Sequence, residues 1–398
     1  MFPQTLINSN KLELALKSFL SYMENSGLTG YDPYDTLNSF IPFRKSGTYL
    51  SAVAIQIQKR NPINIRPLLG IKKGVNPKAM GLFLKAYSIL YRKTGEKKHL
   101  DKAEEIFQWL QNNYSKGFSG HCWGYNFDWA SPGSYLKAYT PSVVVTSFVV
   151  DGVFEYYKTT RDTKAVEIIE SAANYIVNDI PVLKLNTGIS FSYTHLSTGA
   201  CYNASLLAAE VLARAYSIKA DSLYLKRIED AVLFVISKQK PDGSWYYSYN
   251  PDTKTERRQI DFHQGFILVS LENILGLTGI LENEIQGAIK RGLQFYKQEQ
   301  FTIEGRSMWR LPKKWPVDIH NQSQGIITFA RLQHYSYDYL GFSKTIAQWT
   351  IDNMQSPKGY FYYRKTPFFT NKIPYIRWSQ AWMMLALAEI YTLEEHAK

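Results

Sequence analysis

Cysteine is scarce in this chain, and the patterns that would gather cysteine or histidine around a metal ion are missing. Cys122 and Cys201 are its two cysteines, and neither CxxC nor HExxH occurs. Two separated cysteines give no disulfide framework. His121, His195 and His263 are too dispersed in the sequence for a metal-binding motif. We therefore predict no metal site and no cofactor.

Long apolar runs are also missing. No window approaches the roughly twenty apolar residues that a membrane-spanning helix needs. The first residues, MFPQTLINSNKLELALKSFL, lack the charged start, the unbroken apolar stretch and the small-residue cleavage site of a secretory signal. We therefore predict a soluble, cytoplasmic protein.

No Ser-, Gly- or Pro-rich linker divides the 398 residues. A repeat architecture can form one large body of this length. We predict a single domain over 1–398, in which 27–76 is an inserted capping segment, because a loop this long is usually functional. Asp32 and Asp35 in this segment could act as acid or base groups, although carboxylates among Pro and Tyr usually cap turns.

The charge balance is basic. Lys and Arg outnumber Asp and Glu by 46 to 34, which gives a net charge of +12. Such an excess favours an anionic partner, although it also fits a merely solvated surface. Basic pairs such as Lys72-Lys73 and Arg257-Arg258 are short and scattered. We therefore expect the partner to be an oligosaccharide or polysaccharide of anionic character and not a nucleic acid. Peripheral association with a membrane is a further alternative.

Aromatic residues are abundant, at 15% of the chain, and they recur in one pattern. A Gly or Pro turn is followed by aromatic residues and then by an apolar helix with a polar start, most clearly over 239–271. The copies lie 70, 52, 64 and 52 residues apart when measured through Trp123, Tyr193, Trp245, Trp309 and Phe361. This spacing indicates an internal repeat with loops of uneven length.

Helical patterns come in pairs with short connections, which favour antiparallel hairpins. The pairs are 77–91 with 99–114, 141–158 with 162–178, 200–217 with 221–238, 262–277 with 281–299, and 321–338 with 341–354. A last helix over 377–392 can pair with a first helix over 12–23. Six pairs close a ring, so we predict an all-α fold, an (α/α)6 toroid with the first helix of each pair inside. The alternative is an open helical solenoid.

In such a ring the aromatic loops and the starts of the inner helices meet at one rim. Asp261-x-His263 and Asp318-x-His320 stand at equivalent places in consecutive repeats. Neighbouring helices pack about 8 to 10 Å apart, so these pairs should face one cavity. Asp128, in the loop GHCWGYNFDW, is a further candidate acid. These five residues are the predicted catalytic groups.

Other side chains at the same rim are predicted to bind substrate. Aromatic rings stack on the apolar faces of sugars, while a few polar groups fix the orientation. The predicted set is Trp123, Trp245, Trp309, Trp378, Tyr202, Asn203, Gln264, Asn321, Gln322, Arg377 and Gln380.

Two kinds of reaction suit these residues. Two carboxylates at that separation would serve inverting glycoside hydrolysis, one as acid and one as base. A Tyr or His base, with Arg377 neutralising a carboxylate, would instead serve proton abstraction beside a uronate carboxyl group, as in a lyase or epimerase. Aspartate at a helix start is also the usual N-cap, so Asp261 and Asp318 have a structural alternative.

The segment QKPDGSWYY resembles the Q-x-x-x-G-x-W repeat of terpene cyclases, but the DxDD and DDxxD signatures of those enzymes are missing. A broader resemblance rests on DPYDTLNS, RNPINIRPLLG, DFHQGF, GYFYYR and IRWSQAWMMLALA. Together these resemble the VpsJ-like group of bacterial polysaccharide-biosynthesis proteins. That group is distantly similar to six-hairpin glycosidases, including unsaturated glucuronyl hydrolases, and to N-acylglucosamine 2-epimerases.

The resemblance implies a role in bacterial exopolysaccharide or lipopolysaccharide metabolism. It transfers no catalytic set, and the carboxylate pair of the glucuronyl hydrolases has no match here position by position. We therefore predict a carbohydrate-active enzyme that acts on an acidic or acylated glycan as a hydrolase, lyase or epimerase. The alternative is a glycan-binding or assembly factor without catalytic activity.

Overall fold

The computed structural model of the protein describes residues 9–393, so the outermost residues of the predicted domain, 1–8 and 394–398, lie outside the described part. Its α-helices are α1 (Ser9–Ser26), α2 (Gly47–Arg60), α3 (Pro77–Thr94), α4 (Lys97–Asn112), α5 (Val143–Thr160), α6 (Thr163–Asn178), α7 (Tyr202–Ile218), α8 (Ser222–Ser237), α9 (His263–Thr278), α10 (Glu282–Gln300), α11 (Ile319–Arg331), α12 (Tyr339–Met354) and α13 (Trp382–Thr392). A π-helical turn, Ile376–Ala381, leads into α13.

Short strands connect the helices at one rim. They are β1 (Trp129–Ser131), β2 (Ser134–Leu136), β3 (Val182–Leu185), β4 (Gly188–Phe191), β5 (Ala200–Cys201), β6 (Ser248–Asn250), β7 (Thr255–Arg257), β8 (Val317–Asp318), β9 (Arg364–Lys365) and β10 (Thr370–Asn371). The pairings of these strands are antiparallel: β1 with β2, β3 with β4, β6 with both β5 and β7, and β9 with both β8 and β10.

Six helices form an inner ring. In order, α3, α5, α7, α9, α11 and α13 each pack against the next, and α13 packs against α3. The outer layer consists of α4, α6, α8, α10, α12 and α1, and α1 contacts both α12 and α13. Because the last inner helix contacts the first, the fold is the predicted closed (α/α)6 toroid and not an open solenoid.

The predicted helix pairs agree with the observed helices to within a few residues, except at two inner helices. The predicted helix 321–338 ends earlier, because α11 stops at Arg331 and a 3-10 turn, Gln333–Tyr335, follows. The predicted helix 377–392 begins instead with the π-helical turn before α13. Such π-helical turns are frequent at functional sites.

A glycine turn recurs before five of the inner helices. A Cβ atom on any of these glycines would lie 1.7–2.7 Å from a backbone oxygen of an outer helix, so only glycine permits the close approach. The contacts are Gly120 with α6, Gly188 with α8, Gly243 with α10, Gly305 with α12 and Gly359 with α1. Since Gly359 packs on α1 as the others pack on their outer helices, α1 is the sixth outer helix.

Each turn is also bound by a side chain of the inner helix that follows it. The pairs are Trp123 N with Thr146 Oγ1, Phe191 N with Ser205 Oγ, Trp245 N with Gln264 Oε1, Ser307 N with Gln322 Oε1, and Phe361 N with Gln380 Oε1, at 2.6–3.1 Å. The internal repeat is therefore real. Its register is shifted by two residues from the predicted Tyr193 and Trp309, because Phe191 and Ser307 occupy the equivalent positions.

The sixth connection, between α1 and α3, is the long segment 27–76, which we call the cap. It contains α2, which the sequence patterns did not predict, and the 3-10 turns Asp35–Asn38, Phe43–Lys45 and Pro67–Leu69. Arg66 Nε donates to Asp35 Oδ1 at 2.7 Å inside the cap. Arg377, at the start of the last inner helix, donates two hydrogen bonds to Asp32 at 2.6 and 2.7 Å. The cap is thus bound to the inner ring by a buried ion pair.

Deeper along the ring axis lies a second polar group, which we call the axial network. Asp151 accepts hydrogen bonds from Lys85 Nζ and Arg214 Nη2, each as short as 2.7 Å. Arg214 also pairs with Glu210 at 2.7 Å. Although burial alone would raise the pKa of Asp151, the charges of Lys85 and Arg214 outweigh it and hold the pKa well below its usual range.

Within residues 9–393, no helix has both the length and the apolar character needed to cross a bilayer.

Candidate active site

The candidate site lies where the inner helices begin, at the rim that carries the aromatic turns and the cap. Two neighbouring inner helices contribute a histidine each: His263 opens α9, and His320 stands in the first turn of α11. Both imidazoles stack on Phe262, with ring centroids 4.3 Å away for His263 and 4.2 Å for His320. The structure thus brings together the two Asp-x-His motifs of the sequence. We call these groups, with the charged residues described next, the rim cluster.

Asp261 orients His263. Its Oδ1 lies 2.5 Å from His263 Nδ1 and also accepts a hydrogen bond from the backbone N–H of His263. Its Oδ2 accepts a hydrogen bond from Gln259 and lies 3.4 Å from Arg310 Nε. Although burial would raise the pKa of Asp261, the adjacent His263 and Arg310 lower it. Asp261 is therefore an ionised carboxylate that fixes the imidazole, and His263 Nε2 is left to face other groups.

Asp318 caps its helix, as the structural alternative predicted. Its Oδ1 accepts from the backbone N–H of His320 at 3.0 Å and from Trp378 Nε1 at 2.8 Å. Its Oδ2 accepts from Arg364 Nε at 2.7 Å. With both oxygens bound and 2% of the residue exposed, Asp318 positions the start of α11 and the indole of Trp378.

His320 is buried without a hydrogen-bond partner. Neither ring nitrogen has a partner within residues 9–393, and 1% of the residue is exposed. Its ring also contacts Trp378 and Trp382, with centroids 4.7 Å away in each case. Burial, followed by the charges of Lys78 and Arg377, holds the pKa of His320 well below its usual range. This imidazole is therefore neutral, and its N–H group can donate a hydrogen bond or a proton.

Lys78 forms the floor of the site. It stands in the first turn of α3, and 3% of the residue is exposed. Its Nζ lies 4.2 Å from the ring centroid of Phe148, 5.2 Å from that of Trp382 and 5.7 Å from that of Phe266. Burial, and then the charge of Arg377, holds the pKa of Lys78 well below its usual range. A buried amine among aromatic rings suits a site where negative charge develops during a reaction.

The cap covers the opposite side of the site. Tyr34 packs on Trp378 with centroids 5.7 Å apart, and its hydroxyl accepts a hydrogen bond from Lys59 Nζ. Burial, followed by the charge of Arg364, lowers the pKa of Lys59 to about 7. Asp32, held by Arg377, anchors this part of the cap. Asp32 and Asp35 are therefore structural groups that bind arginine and not free acid or base groups.

Aromatic side chains complete the circle around the site. Arg377 lies 4.8 Å from the ring centroid of Tyr125, and Tyr125 shares a hydrogen bond with Tyr193. Tyr247 packs edge-on against His263, with centroids 4.9 Å apart. The hydroxyl of Tyr247 is hydrogen-bonded to Cys201. Half-buried rings such as these offer the stacking surfaces that a sugar needs.

Several predicted site residues lie elsewhere. Asp128 bonds Tyr135 and the backbone N–H of Ala138 within the hairpin β1–β2. It lines a shallow surface depression with Arg44, Lys45 and Lys137, none of which belongs to the rim cluster. Asp128 is therefore placed to support this hairpin, and we do not include it in the proposed site.

Two predicted stacking residues are part of the core. Trp123 and Trp245 are 1% and 0% exposed, and each indole N–H donates to a backbone oxygen of the preceding outer helix. Tyr202 is also fully buried, with its ring against Phe234 and its hydroxyl on Glu256. These rings have no face for a ligand, because helix packing covers them.

The three predicted glutamines bind protein backbone. Gln264, Gln322 and Gln380 each hold the turn before their helix through both amide atoms, as the repeat shows. Asn321 likewise donates to the backbone oxygens of Met308 and Trp309, and it fixes the loop of Trp309. Asn203 accepts a hydrogen bond from Cys201 Sγ at 3.1 Å. These amides position the site and are not placed to contact substrate themselves.

Sequence reasoning missed several residues of the site, among them Lys59, Lys78, Phe262 and Trp382. Lys78 had a usable signal, because it follows Asn76 and Pro77 at the polar start of an inner helix. Lys59 had none, since its burial depends on how the cap folds over the rim.

Within the described chain, no group of three or more His, Cys, Asp or Glu side chains is placed to hold a metal ion.

Neither a protein-family model nor a curated protein sequence matches this chain. The assignment to the VpsJ-like group therefore stays a prediction. Solved structures do match, over almost the whole chain. Cellobiose 2-epimerase from Bacillus thermoamylovorans has a TM-score of 0.68 at 13% identity, over 97% of this chain and 98% of that chain.

Two glycoside hydrolases show the same likeness. The GH76 α-mannanase of Bacteroides thetaiotaomicron has a TM-score of 0.62 at 15% identity, over 96% of this chain and 97% of that chain. The unsaturated glucuronyl hydrolase of Streptococcus agalactiae has a TM-score of 0.63 at 13% identity, over 98% and 94%. At these identities the likeness shows the fold alone, and this protein has the six-hairpin toroid that these enzymes share.

Proposed function

We propose that this protein is a sugar-modifying enzyme that moves a proton at a carbon beside a carbonyl or carboxyl group, as an epimerase or a lyase does. The observation that supports this reaction best is the pair of imidazoles on Phe262. His263 is oriented by Asp261, and His320 is neutral with both ring nitrogens unpartnered in the described chain. An imidazole oriented by a carboxylate can act as a base, and a neutral buried imidazole can donate its N–H to developing negative charge.

In the proposed reaction His263 acts as the base. Asp261 accepts the Nδ1–H bond, so Nε2 carries the lone pair that removes the proton from carbon. The electron pair of the broken C–H bond moves onto the adjacent oxygen and forms an enolate. His320 then donates its own N–H proton to the opposite face of the same carbon, which gives an epimer. In the lyase alternative the enolate re-forms the carbonyl, the bond from the next carbon to its oxygen substituent breaks, and the His320 proton goes to that leaving oxygen. In both cases proton exchange with solvent returns the His320 imidazolate and the His263 imidazolium to their neutral forms.

The charges around the two imidazoles support an anionic intermediate. Arg310, Arg364 and Arg377 pair with Asp261, Asp318 and Asp32, so these charges balance one another. Lys59 and Lys78 lie beside them as buried amines whose pKa values are lowered by burial. An enolate, or the carboxylate of an acidic sugar, would favour the charged form of these two amines and would be stabilised by it. This arrangement supports the acidic glycan expected from the composition.

Inverting hydrolysis by Asp261 and Asp318 fits less well. One of the two would have to carry a proton and donate it to the leaving oxygen. The pKa of Asp261 is lowered, and both oxygens of Asp318 are bound by N–H donors. We therefore assign orienting roles to both aspartates and acid and base roles to the histidines.

The wider setting is also part of the proposal. The fold neighbours include a cellobiose 2-epimerase and an unsaturated glucuronyl hydrolase, and these are carbohydrate-active enzymes. Together with the resemblance to the VpsJ-like group, they support a glycan substrate from bacterial exopolysaccharide or lipopolysaccharide metabolism. In this proposal residues 1–398 form one cytoplasmic domain, and the cap closes its site.

The test uses the purified chain with neutral and uronate-containing oligosaccharides in heavy water, followed by proton NMR and mass spectrometry. We expect deuterium to enter a sugar at the carbon beside the carbonyl or carboxyl group, with either an epimer or an unsaturated sugar as product. His263→Gln and His320→Gln should each lower kcat by about 10² to 10⁴, the range for loss of an acid or base group. His334→Gln, whose side chain is 56% exposed, is the matched control.

The outcomes separate the alternatives. Cleavage that leaves the carbon-bound protons unexchanged, and that Asp261→Asn abolishes while His320→Gln does not, would overturn the proposal in favour of hydrolysis. Binding of oligosaccharides without any turnover or exchange would identify a glycan-binding factor. Equal activity of His320→Gln and His334→Gln would remove His320 from the reaction.

A further inference from the structure

The outer surface of the cap is unusually apolar for a protein surface. Fifteen large hydrophobic residues are exposed in the described chain, and seven of them lie between residues 40 and 68. The seven are Phe40, Tyr49, Leu50, Val53, Ile57, Ile63 and Leu68. Scattered exposed apolar residues are ordinary, but a concentration of this kind marks an interaction site.

Four of these residues form a stripe along α2. Tyr49, Leu50, Val53 and Ile57 follow the one, four and eight spacing of a single helix face, and they are 67%, 56%, 38% and 66% exposed. The opposite face of the helix is buried, with Ile55 against the small core that the cap shares with β1. One side of the helix is therefore packed on the protein, and the apolar stripe lies on the other side, outside that packing.

Further exposed aromatic side chains lie on a hairpin that contacts the end of α2. Asn371 Nδ2 donates to Asn61 O at 3.2 Å and so holds the hairpin β9–β10 beside the end of α2. The tip of this hairpin carries Phe368 and Phe369, which are 95% and 51% exposed. Aromatic and aliphatic side chains of this kind insert at the boundary between lipid headgroups and acyl chains.

The charge of this surface has one sign. Residues 36–76 contain seven basic residues and no Asp or Glu. Lys59 and Arg66 are buried, which leaves Arg44, Lys45, Arg60, Lys72 and Lys73 exposed. A second copy of the chain would bring the same cations against these, so the charge disfavours self-association through this face. A surface that is both anionic and apolar complements the basic charge and the apolar stripe together.

We propose that the cap docks on an anionic lipid bilayer, with α2 lying in the plane of the headgroups. The apolar stripe enters the interface while the five exposed cations bind anionic headgroups. Lys59, on the buried side of the same helix, touches Tyr34 and thereby the candidate site. Docking would bring the covered rim of the toroid to the membrane surface. This interaction does not depend on which reaction the site performs.

The experiment measures partition of the full chain onto vesicles by flotation. We expect binding to vesicles of phosphatidylcholine with phosphatidylglycerol, much weaker binding to phosphatidylcholine alone, and weakening by salt. Leu50→Asp should reduce the partition coefficient about tenfold or more, because it removes a large apolar side chain and adds a repelled charge. Leu223→Asp, at a 48% exposed position on α8, is the matched control and should leave it unchanged.

Three results would overturn the proposal. The first is no binding of the wild-type chain to anionic vesicles. The second is an equal loss of binding in the Leu50→Asp and Leu223→Asp variants. The third is a concentration-dependent dimer that Leu50→Asp abolishes, which would assign the stripe to a second copy. Because both positions are exposed, circular dichroism should show that both variants fold.

Discussion

Two polar groups lie along the axis of the same ring, and they are built in opposite ways. In the axial network, Lys85, Asp151, Arg214 and Glu210 form ion pairs at 2.7 Å, and Asn273 Nδ2 adds a hydrogen bond to Glu210 at 2.9 Å. In the rim cluster, His320 has no hydrogen-bond partner among the described residues.

A layer of aromatic rings, Phe148, Phe266 and Trp382, separates the two groups, and a cavity of about 30 Å³ lies beneath it. That is enough for about one water molecule. Each buried polar group that lacks a partner costs free energy of folding, whereas a satisfied network specifies the fold. The satisfied axial network is therefore the part of the interior that holds the ring together, and the rim cluster, with its unpartnered His320, is the part that is kept reactive.

The largest effect should follow from breaking the axial network. Asp151→Asn removes the carboxylate that pairs with both Lys85 and Arg214, and it leaves two buried cations without their main partner. We expect the free energy of unfolding to fall by about 3 to 5 kcal/mol, as for other buried ion pairs that lose one member. Chemical denaturation followed by circular dichroism measures this change. A loss under about 1 kcal/mol would show that the network is not structural.

A smaller effect of opposite sign is expected at the rim. Lys59 has a pKa of about 7 because burial disfavours its charge, whereas the unfolded chain keeps the ordinary value of 10.5. The unfolded state therefore binds more protons between these values, and stability rises with pH across this window. Lys59→Met should be more stable than the wild type near pH 7, by about 1 to 3 kcal/mol, and this advantage should shrink towards pH 10.

The same denaturation experiment at several pH values checks this expectation. Lys85→Met is the matched control, since Lys85 is paired with Asp151 and its removal leaves that buried carboxylate with one cation fewer, so this variant should be less stable than the wild type near pH 7. If Lys59→Met were destabilising at pH 7 as well, the cation would be part of a satisfied network, and the contrast between the two regions would fail.

Comparison of these two regions also shows what the sequence could predict. Helix pairs, the closed ring and the convergence of His263 and His320 follow from apolar periodicity and from motif spacing, which depend on local order along the chain. The roles of the glutamines do not follow from local order, because Gln264 is hydrogen-bonded to the backbone of Trp245, 19 residues earlier. A polar residue at a helix start looks the same in sequence whether it faces a ligand or a loop.

The burial of individual aromatic side chains could not be predicted from the sequence either. Trp123 and Trp245 are aromatic loop residues like Trp309, yet the first two are packed between helices while Trp309 stays half-buried at the rim. The π-helical turn at Ile376–Ala381, which carries Arg377 and Trp378, has no distinct periodic pattern. The ion pair between Arg377 and Asp32 joins residues 345 positions apart, a distance at which local patterns carry no information.

The smallest expected effect compares two buried serines. Ser270 donates to Glu210 in the axial network, whereas the hydroxyl of Ser379, beside Trp378, has no partner in the described chain. Ser270→Ala should cost about 1.5 kcal/mol of unfolding free energy, the low end of the range for a lost hydrogen bond to a charged group. Ser379→Ala should be neutral or slightly stabilising. Thermal denaturation of the pair measures the difference, and an equal cost at both positions would contradict it.

The packing of Gly359 on α1 has a consequence for how the protein is made. The sixth hairpin pairs α13 with α1, and α1 is synthesised more than three hundred residues before α13. Until α13 emerges, the nascent chain is an open arc, and the flanks of α3 and α11 that α13 will cover remain exposed. Contacts this distant in sequence form late and slowly. Ring closure is therefore expected to be the final, post-translational step of folding, and the arc before it is the species most in need of a chaperone.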